Sequence, residues 1–329
     1  MKQQNIDFTD TDRPLTGRIS DYIAIARLDH VTKQIFIVPG AVFAYVLRGV
    51  HNDNVLAMVV LGLTAAIYIA SANYVINEWL DRDFDKHHPT KSQRTAVRRE
   101  LDPRLVVVEW ATLVALGLWC AYSASLSMLV AAVLFAVQGI VYNVRPLRTK
   151  ETAYLDVISE SVNNPLRLCI GWAMIDAGTL PPASVLLCYW LGGAFLMACK
   201  RLSEYREITA SHGHQTLARY RASFAHYTEV SLTLSCFLYA ILSSFFLAVF
   251  LLKYRIEYLL LMPLIATLFV YYLAISMQPG SSAQAPEKLF RERGLMLLIV
   301  MIAIVFLAST FINIPMLEQF TAQQYISLG

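Results

Sequence analysis

Nine mostly apolar runs, each about as long as a hydrocarbon core is thick, leave this chain little choice but a helical membrane bundle. They fall at 31–50, 55–77, 104–122, 124–142, 154–174, 184–199, 230–252, 257–276 and 294–314. A membrane span needs roughly 20 apolar residues. In lipid the backbone must satisfy its own hydrogen bonds, so each run predicts an α-helix. The alternating pattern of a β-barrel strand is absent. The composition, 57% hydrophobic and 16% charged over 329 residues, lies outside the soluble range, where roughly 25% of residues are charged. The expected fold is all-α: a polytopic membrane protein of about nine transmembrane helices. Residues 1–30 form a cytoplasmic segment and 31–329 a single transmembrane domain.

Lys and Arg gather in the segment before the first run and in the loops after the second, fourth, sixth and eighth. Only Arg48, Lys253 and Arg255 lie at the other ends, and Arg167 sits inside a run. The positive-inside rule then places the N-terminus and these basic segments in the cytoplasm and the C-terminus outside. The first 30 residues carry no apolar stretch behind a basic start, so no cleavable signal is expected. A bacterial plasma (inner) membrane suits this pattern. The five cysteines lie in or beside apolar runs without metal-ligand spacing and read as small buried hydrophobes. Phosphate loops, dinucleotide fingerprints and nucleophile elbows are absent, and no nucleic-acid partner is expected.

The strongest chemical signal is NEWLDRDFDKHHPTKSQR, residues 77–94. Asn77, Asp81 and Asp85 recur every four residues, which stacks them on one helix face. Packed carboxylates repel unless they share a cation, and oxygen-only ligands favour Mg²⁺ bridging to phosphate. The plain alternative is a solvated helix end, but acidic groups at a helix C-terminus oppose its dipole. Pro89 ends the helix and leaves Lys91 and Arg94 in a loop able to fold over an anion. His88 is a candidate acid or base.

A second polar face lies in YLDVISESVNNPLR, residues 154–167, where Asp156, Glu160, Asn163 or Asn164, and Arg167 are one turn apart. Pro165 is expected to kink this span. Ionisable groups inside a span face a cavity or a partner, and an internal Glu160–Arg167 pair is the structural alternative. A third cluster is Lys200 and Arg201 with Glu204 and Arg206; simple charge sidedness or a Lys200–Glu204 pair would also explain it. The fourth, Arg27, Asp29, His30 and Lys33 with Glu287, Lys288, Arg291 and Glu292, is largely accounted for by interfacial snorkelling. All four fall on one membrane face. Two acidic helix faces with several bases suit a multiply phosphorylated substrate held through Mg²⁺, whose pyrophosphate departs as a C–O bond breaks.

At these residues the chain resembles the UbiA superfamily of intramembrane prenyltransferases, whose first motif is N-D-x-x-D-x-x-x-D. Here Glu78 stands at the motif's second position. Within the superfamily it is most similar to the decaprenyl-phosphate phosphoribosyltransferase branch, through RLDHVTKQ (27–34), DRDFDKHHPTKSQR (81–94), YLDVISESVNNPLR (154–167) and CKRLSEYRE (199–207). Glu160 and the Asn163–Asn164 pair depart from that branch. The resemblance implies transfer of 5-phosphoribose from phosphoribosyl pyrophosphate to a decaprenyl-like polyprenyl phosphate. Asn77, Asp81 and Asp85 would then hold Mg²⁺, and Asp156 would bind a ribose hydroxyl or a second metal-linked site. Lys91 and Arg94 would contact donor phosphates, while Lys33, Arg167, Lys200 and Arg201 would position the lipid phosphate or ribose 5-phosphate, with Glu160 and Asn164 also on substrate. The bilayer is a partner, and a homo-oligomer stays open.

A prenyltransferase that moves a polyprenyl group from its pyrophosphate to an aromatic acceptor would use the same metal stripe. The many bases favour the substrate pair with more phosphates. A transporter would spread its charges across mid-span and both faces, which this chain does not.

Overall fold

The computed structural model describes residues 15–50, 54–88, 90–284, 289 and 291–317. Pro89, Glu287, Lys288 and residues 1–14 of the N-terminal segment lie outside the described residues. Eight stretches are long and apolar enough to cross a membrane: Ile19–Arg48, Val55–Asp85, Pro103–Ala124, Leu126–Asn143, Ala183–His212, Glu229–Tyr254, Ile256–Ser276 and Arg293–Phe311. The ninth expected span is broken. It forms α7 (Leu155–Ser161) and α8 (Asn163–Ile175), hinged at Val162. Pro165 supplies the cause, because it has no N–H for the Ser161 carbonyl and its ring crowds that carbonyl.

The first stretch is likewise composite. α1 (Ile19–Ile25) precedes a ten-residue 3₁₀ segment, Leu28–Ile37, and α2 (Val38–Arg48) follows. Arg27 enters the 3₁₀ segment in the left-handed region, φ 51°, and Pro39 cannot donate to Ile35 at its far end. α3 (Val55–Asp85) is continuous over 31 residues, about 46 Å at 1.5 Å per residue. That exceeds a hydrocarbon core of about 30 Å, so its last turns, which carry the acidic stripe, reach past the apolar layer. α4 (Thr95–Arg98) follows in the loop, with a two-residue parallel pair between Leu15–Thr16 and Arg99–Glu100.

α5 (Pro103–Ala124) and α6 (Leu126–Asn143) form a hairpin turned at Ser125, whose Oγ accepts from the Met128 amide. The chain closes with α9 (Ala183–His212), α10 (His214–Tyr220), α11 (Glu229–Tyr254), α12 (Met262–Ser276) and α13 (Arg293–Phe311).

Two apolar cores meet at the broken span. One, including Ala65, Ile69, Ala121, Phe135 and Ile170, joins α3, α5, α6 and α8. The other, including Val157, Ala198, Leu202, Cys236 and Tyr272, joins α7, α9, α11 and α12. Large apolar side chains such as Trp119, Leu126, Phe245 and Leu297 point outward, as a lipid-facing surface requires.

Small residues let backbones touch, the usual basis of helix packing in lipid. A Cβ on Gly171 would lie 2.1 Å from the Ile37 carbonyl oxygen, and one on Gly40 2.1 Å from that of Leu168. Gly171→Ala should therefore force α2 and α8 apart and cost about 1–3 kcal/mol, as overpacking does. Gly178→Ala, whose nearest neighbour would be at 3.4 Å, serves as the control. Thermal unfolding in detergent should show a lowered midpoint for the first variant only.

Candidate active site

The last turns of α3 deliver Asn77, Asp81 and Asp85 to one wall of a cavity of about 550 Å³. The ends of α6 and α7, the start of α8, the second half of α9 and the 3₁₀ segment also line it. Ten Lys and Arg residues line it against six Asp and Glu, so the cavity is built for anions.

Both stripe carboxylates are neutralised from within the chain. Asp81 takes Arg148 at 3.0 Å and Lys150 at 2.5 Å, and Asp85 takes Arg94 at 2.6 Å. These cations offset the charge that a helix C-terminus opposes. Asn77 donates its amide hydrogens to Asn143 Oδ1 at 2.6 Å, an oxygen that also accepts from Lys150 at 2.8 Å. The Asn77 carbonyl oxygen thus completes a face of hard oxygen donors suited to Mg²⁺. Among the described residues no three His, Cys, Asp or Glu side chains converge on a metal position. A metal here therefore needs phosphate oxygens and water to fill its shell, which is how Mg²⁺ commonly binds.

Glu78 is buried and turned away, accepting from the Ala96 amide at 3.4 Å. It braces the loop and does not line the cavity. His88 lines the cavity and also braces the loop: its Nδ1 accepts from the Thr90 and Lys91 amides, each at 3.2 Å. Burial pushes His88 down to about 3, so it is neutral and its lone pair is committed. The braced loop sets Lys91 beside Glu204, at 3.8 Å.

Two expected site residues stand off the cavity wall. Asp156 is fully buried behind the cavity wall. It takes Arg201 at 3.0 Å, the Tyr227 hydroxyl at 2.6 Å, Ser223 at 3.2 Å and Arg221 at 3.6 Å. The first turn of α7 faces α9 and the segment 222–227, so Asp156 meets Arg201 and Arg221 and does not line the cavity. Asn164 packs against α9, where a Cβ on Gly193 would meet its Nδ2 at 2.0 Å. Asn163, three residues after Glu160 and four before Arg167, lines the cavity in its place.

The other expected residues, Lys33, Lys91, Arg94, Glu160, Arg167, Lys200 and Arg201, do line it. Their pairings differ from the simplest reading. Arg167 donates to Gln34 at 3.2 Å and lies 4.8 Å from the Phe135 ring centre, so no Glu160–Arg167 pair forms. Glu204 takes Arg201 at 3.0 Å and Lys91. Lys33 lies 5.1 Å from the Tyr74 ring centre. Arg27 and His30 also line the cavity, whereas Arg291 and Glu292 do not.

Arg148, Lys150, Asn143 and Arg221 also line the cavity, and sequence periodicity misses them. They sit at a helix end or in loops, where no regular spacing registers them against the stripe. The only signal of the three bases is their charge, already explained by membrane sidedness.

A family model described as the UbiA prenyltransferase family matches residues 35–300. The protoheme IX farnesyltransferase of Geobacillus thermodenitrificans is 28% identical over 176 residues, 51% of this chain and 55% of that protein. The lycopene elongase/hydratase of Haloarcula japonica is 32% identical over 118 residues, 36% of this chain and 39% of that one. The chain thus spans about half the length of the first of these relatives and less of the second. A solved UbiA homolog from Archaeoglobus fulgidus bound to GPP and Mg²⁺ has a TM-score of 0.66 at 22% identity, covering 88% of this chain and 98% of that one. A digeranylgeranylglyceryl phosphate synthase structure gives 0.60 at 16% identity, with 88% and 98% covered. The solved structures show the fold. The farnesyltransferase and elongase names do not carry the phosphoribosyltransferase branch that the sequence motifs suggested.

Burial lowers both Lys91 and Lys150 to about 8, so the free protein loses these cations as pH rises through 8, and anion binding weakens above that point. Each lysine that deprotonates costs up to about tenfold in affinity per pH unit. Pyrophosphate calorimetry between pH 7 and 9.5 should show that rise in Kd, and Lys91→Arg should make it less steep. Asp156→Asn should weaken pyrophosphate binding at least several-fold by freeing Arg201 and Arg221. Breaking a buried ion pair also costs roughly 3–5 kcal/mol of stability, which thermal unfolding reads separately.

Proposed function

The chain belongs to the UbiA prenyltransferase family, and from that premise we propose that it transfers 5-phosphoribose from phosphoribosyl pyrophosphate to a polyprenyl phosphate. The observation that carries this reading is the cavity's surplus of cations. Ten bases face six acids, although a prenyl pyrophosphate with an aromatic acceptor brings only one diphosphate. A phosphoribosyl donor and a lipid phosphate together bring four phosphate groups.

In the proposed reaction the bond between C1 and the pyrophosphate oxygen breaks, and its electron pair leaves with pyrophosphate. An oxygen of the lipid phosphate supplies the pair for the new bond to C1. That oxygen is already anionic, so no side chain need remove a proton. Asn77, Asp81 and Asp85 would hold Mg²⁺, which when bound neutralises charge on the leaving oxygens. Arg94, Arg148 and Lys150 now rest on those same carboxylates and would turn to the diphosphate. Lys33, Arg167, Lys200 and Arg201 would hold the other phosphates.

A second reading has its own support. Protoheme IX farnesyltransferases are among the relatives, and the A. fulgidus homolog binds GPP and Mg²⁺. On this reading a polyprenyl pyrophosphate is the donor and an aromatic compound the acceptor. Charge sidedness supports a cytoplasmic N-terminus and site, an outside C-terminus and a bacterial inner membrane. The division into residues 1–30 and 31–329 belongs to the same proposal.

Purified protein in detergent, given labelled phosphoribosyl pyrophosphate and decaprenyl phosphate, should form a labelled lipid that chelator abolishes. Turnover of a prenyl pyrophosphate with an aromatic acid instead would establish the second reading. Asp81→Ala and Asp85→Ala should each lower turnover by about two to four orders of magnitude. Such a loss corresponds to roughly 3–5 kcal/mol of transition-state stabilisation. Near-normal rates at saturating Mg²⁺ would overturn the metal assignment.

A further inference from the structure

We infer that Glu160, with Asn163, recognises the hydroxyl groups of the transferred sugar and so selects a glycosyl donor over a prenyl one. This inference rests on the phosphoribosyl reading and deepens it. Five of the six cavity acids already have partners. Asp81, Asp85 and Glu204 hold the cations described above, Glu151 lies 2.6 Å from Arg148, and Glu207 accepts from Gln284 at 2.7 Å. Glu160 alone has no hydrogen bond or ion pair among the described residues, though it lines the same cavity.

Its cationic neighbours are engaged elsewhere. Arg167 donates to Gln34, while Arg221 donates to the Tyr142 hydroxyl at 2.6 Å and sits beside Asp156. Three residues along, across the hinge at Val162, Asn163 carries a buried Oδ1 without a partner. Glu160 and Asn163 thus set two acceptors without partners close together on a wall where bases outnumber acids, and Asn73 Oδ1 is a further buried acceptor of the same cavity without a partner.

An unpaired carboxylate repels phosphate, so it is misplaced as a phosphate ligand. It is well placed to accept from hydroxyls, as acidic residues do with ribose in dinucleotide sites. A hydrocarbon donor would desolvate both acceptors and return nothing, a penalty that excludes substrates lacking the matching polar group. The role of metal ligand fits less well, because Asp156, one turn away, is spent on Arg201 and Tyr227.

The test compares full-length wild type, Glu160→Gln, Glu160→Ala and Asn163→Ala in detergent, using phosphoribosyl pyrophosphate and its 2-deoxy and 3-deoxy analogues. Glu160→Ala should lower kcat/KM for the parent donor by about 100-fold. With at least one deoxy analogue, wild type and Glu160→Ala should converge. Glu160→Gln should fall between them, since its carbonyl still accepts one hydroxyl, and Asn163→Ala should show a smaller coupling of the same kind. The half-maximal Mg²⁺ concentration should not move. Equal losses on parent and deoxy donors, or a raised Mg²⁺ requirement in Glu160→Ala, overturn the assignment. Wild type that turns over only prenyl pyrophosphate sinks the phosphoribosyl reading itself and this inference with it. Phosphoribosyl turnover without coupling to Glu160 sinks this inference alone.

Discussion

The acidic end of α3 would be untenable without the three cations that meet it. Two carboxylates one turn apart repel each other and face the negative pole of their own helix. Arg94, Arg148 and Lys150 relieve both problems, and each comes from a loop outside the helix. The loops are therefore fixed by charge as well as by packing. The same pairs make the site exchangeable, because a divalent ion bound to the carboxylates would free three bases at the moment a diphosphate arrives. Ground-state neutralisation and substrate capture then use one set of side chains in two arrangements.

The broken span is the second determinant. Helical spacing over 155–175 puts Asp156, Glu160, Asn163 and Arg167 on one face with Asn164 at its edge. Pro165 interrupts the hydrogen bonding of this span, and packing divides that face into separate tasks. Asp156 turns behind the wall to orient Arg201 and Arg221, Asn164 packs on Gly193, and Glu160, Asn163 and Arg167 keep the cavity. Periodicity finds the face but not how deeply each side chain is buried, so it does not foresee that Asp156 meets Arg201 and Tyr227 off the cavity wall.

Much else was legible for simple reasons. Apolar runs of membrane length leave few alternatives to helices, and the metal stripe lies on an unbroken helix where four-residue spacing is reliable. Lys91 and Arg94 could be anticipated because a loop beginning at a helix end has little reach. Arg148, Lys150 and Arg221 could not, since their partners are about 65 to 80 residues away in sequence and no local pattern marks them. The Glu78 departure has a comparable explanation. Its side chain brackets the Ala96 amide from the far side of α3, so the change from the family motif affects loop support and leaves the cavity-facing oxygens intact.

The location of the cavity follows from the difference between helix lengths and bilayer thickness. α3 and α9 run 31 and 30 residues, too long for the apolar layer, whereas α6 ends at Asn143 where the polar wall begins. Charged side chains can therefore converge on water at one end while the same helices stay apolar along the rest of their length. A lipid acceptor with a phosphate head meets both conditions at once, its head among the bases and its chain along the bundle. A soluble acceptor would need the polar end alone and would leave the long apolar approach unused. The architecture thus favours a lipid substrate independently of how many phosphates its donor carries. On the proposed reading the choice of donor would rest with the cavity wall, where the Glu160 carboxylate and the Asn163 amide oxygen stand without hydrogen-bond partners among the described residues.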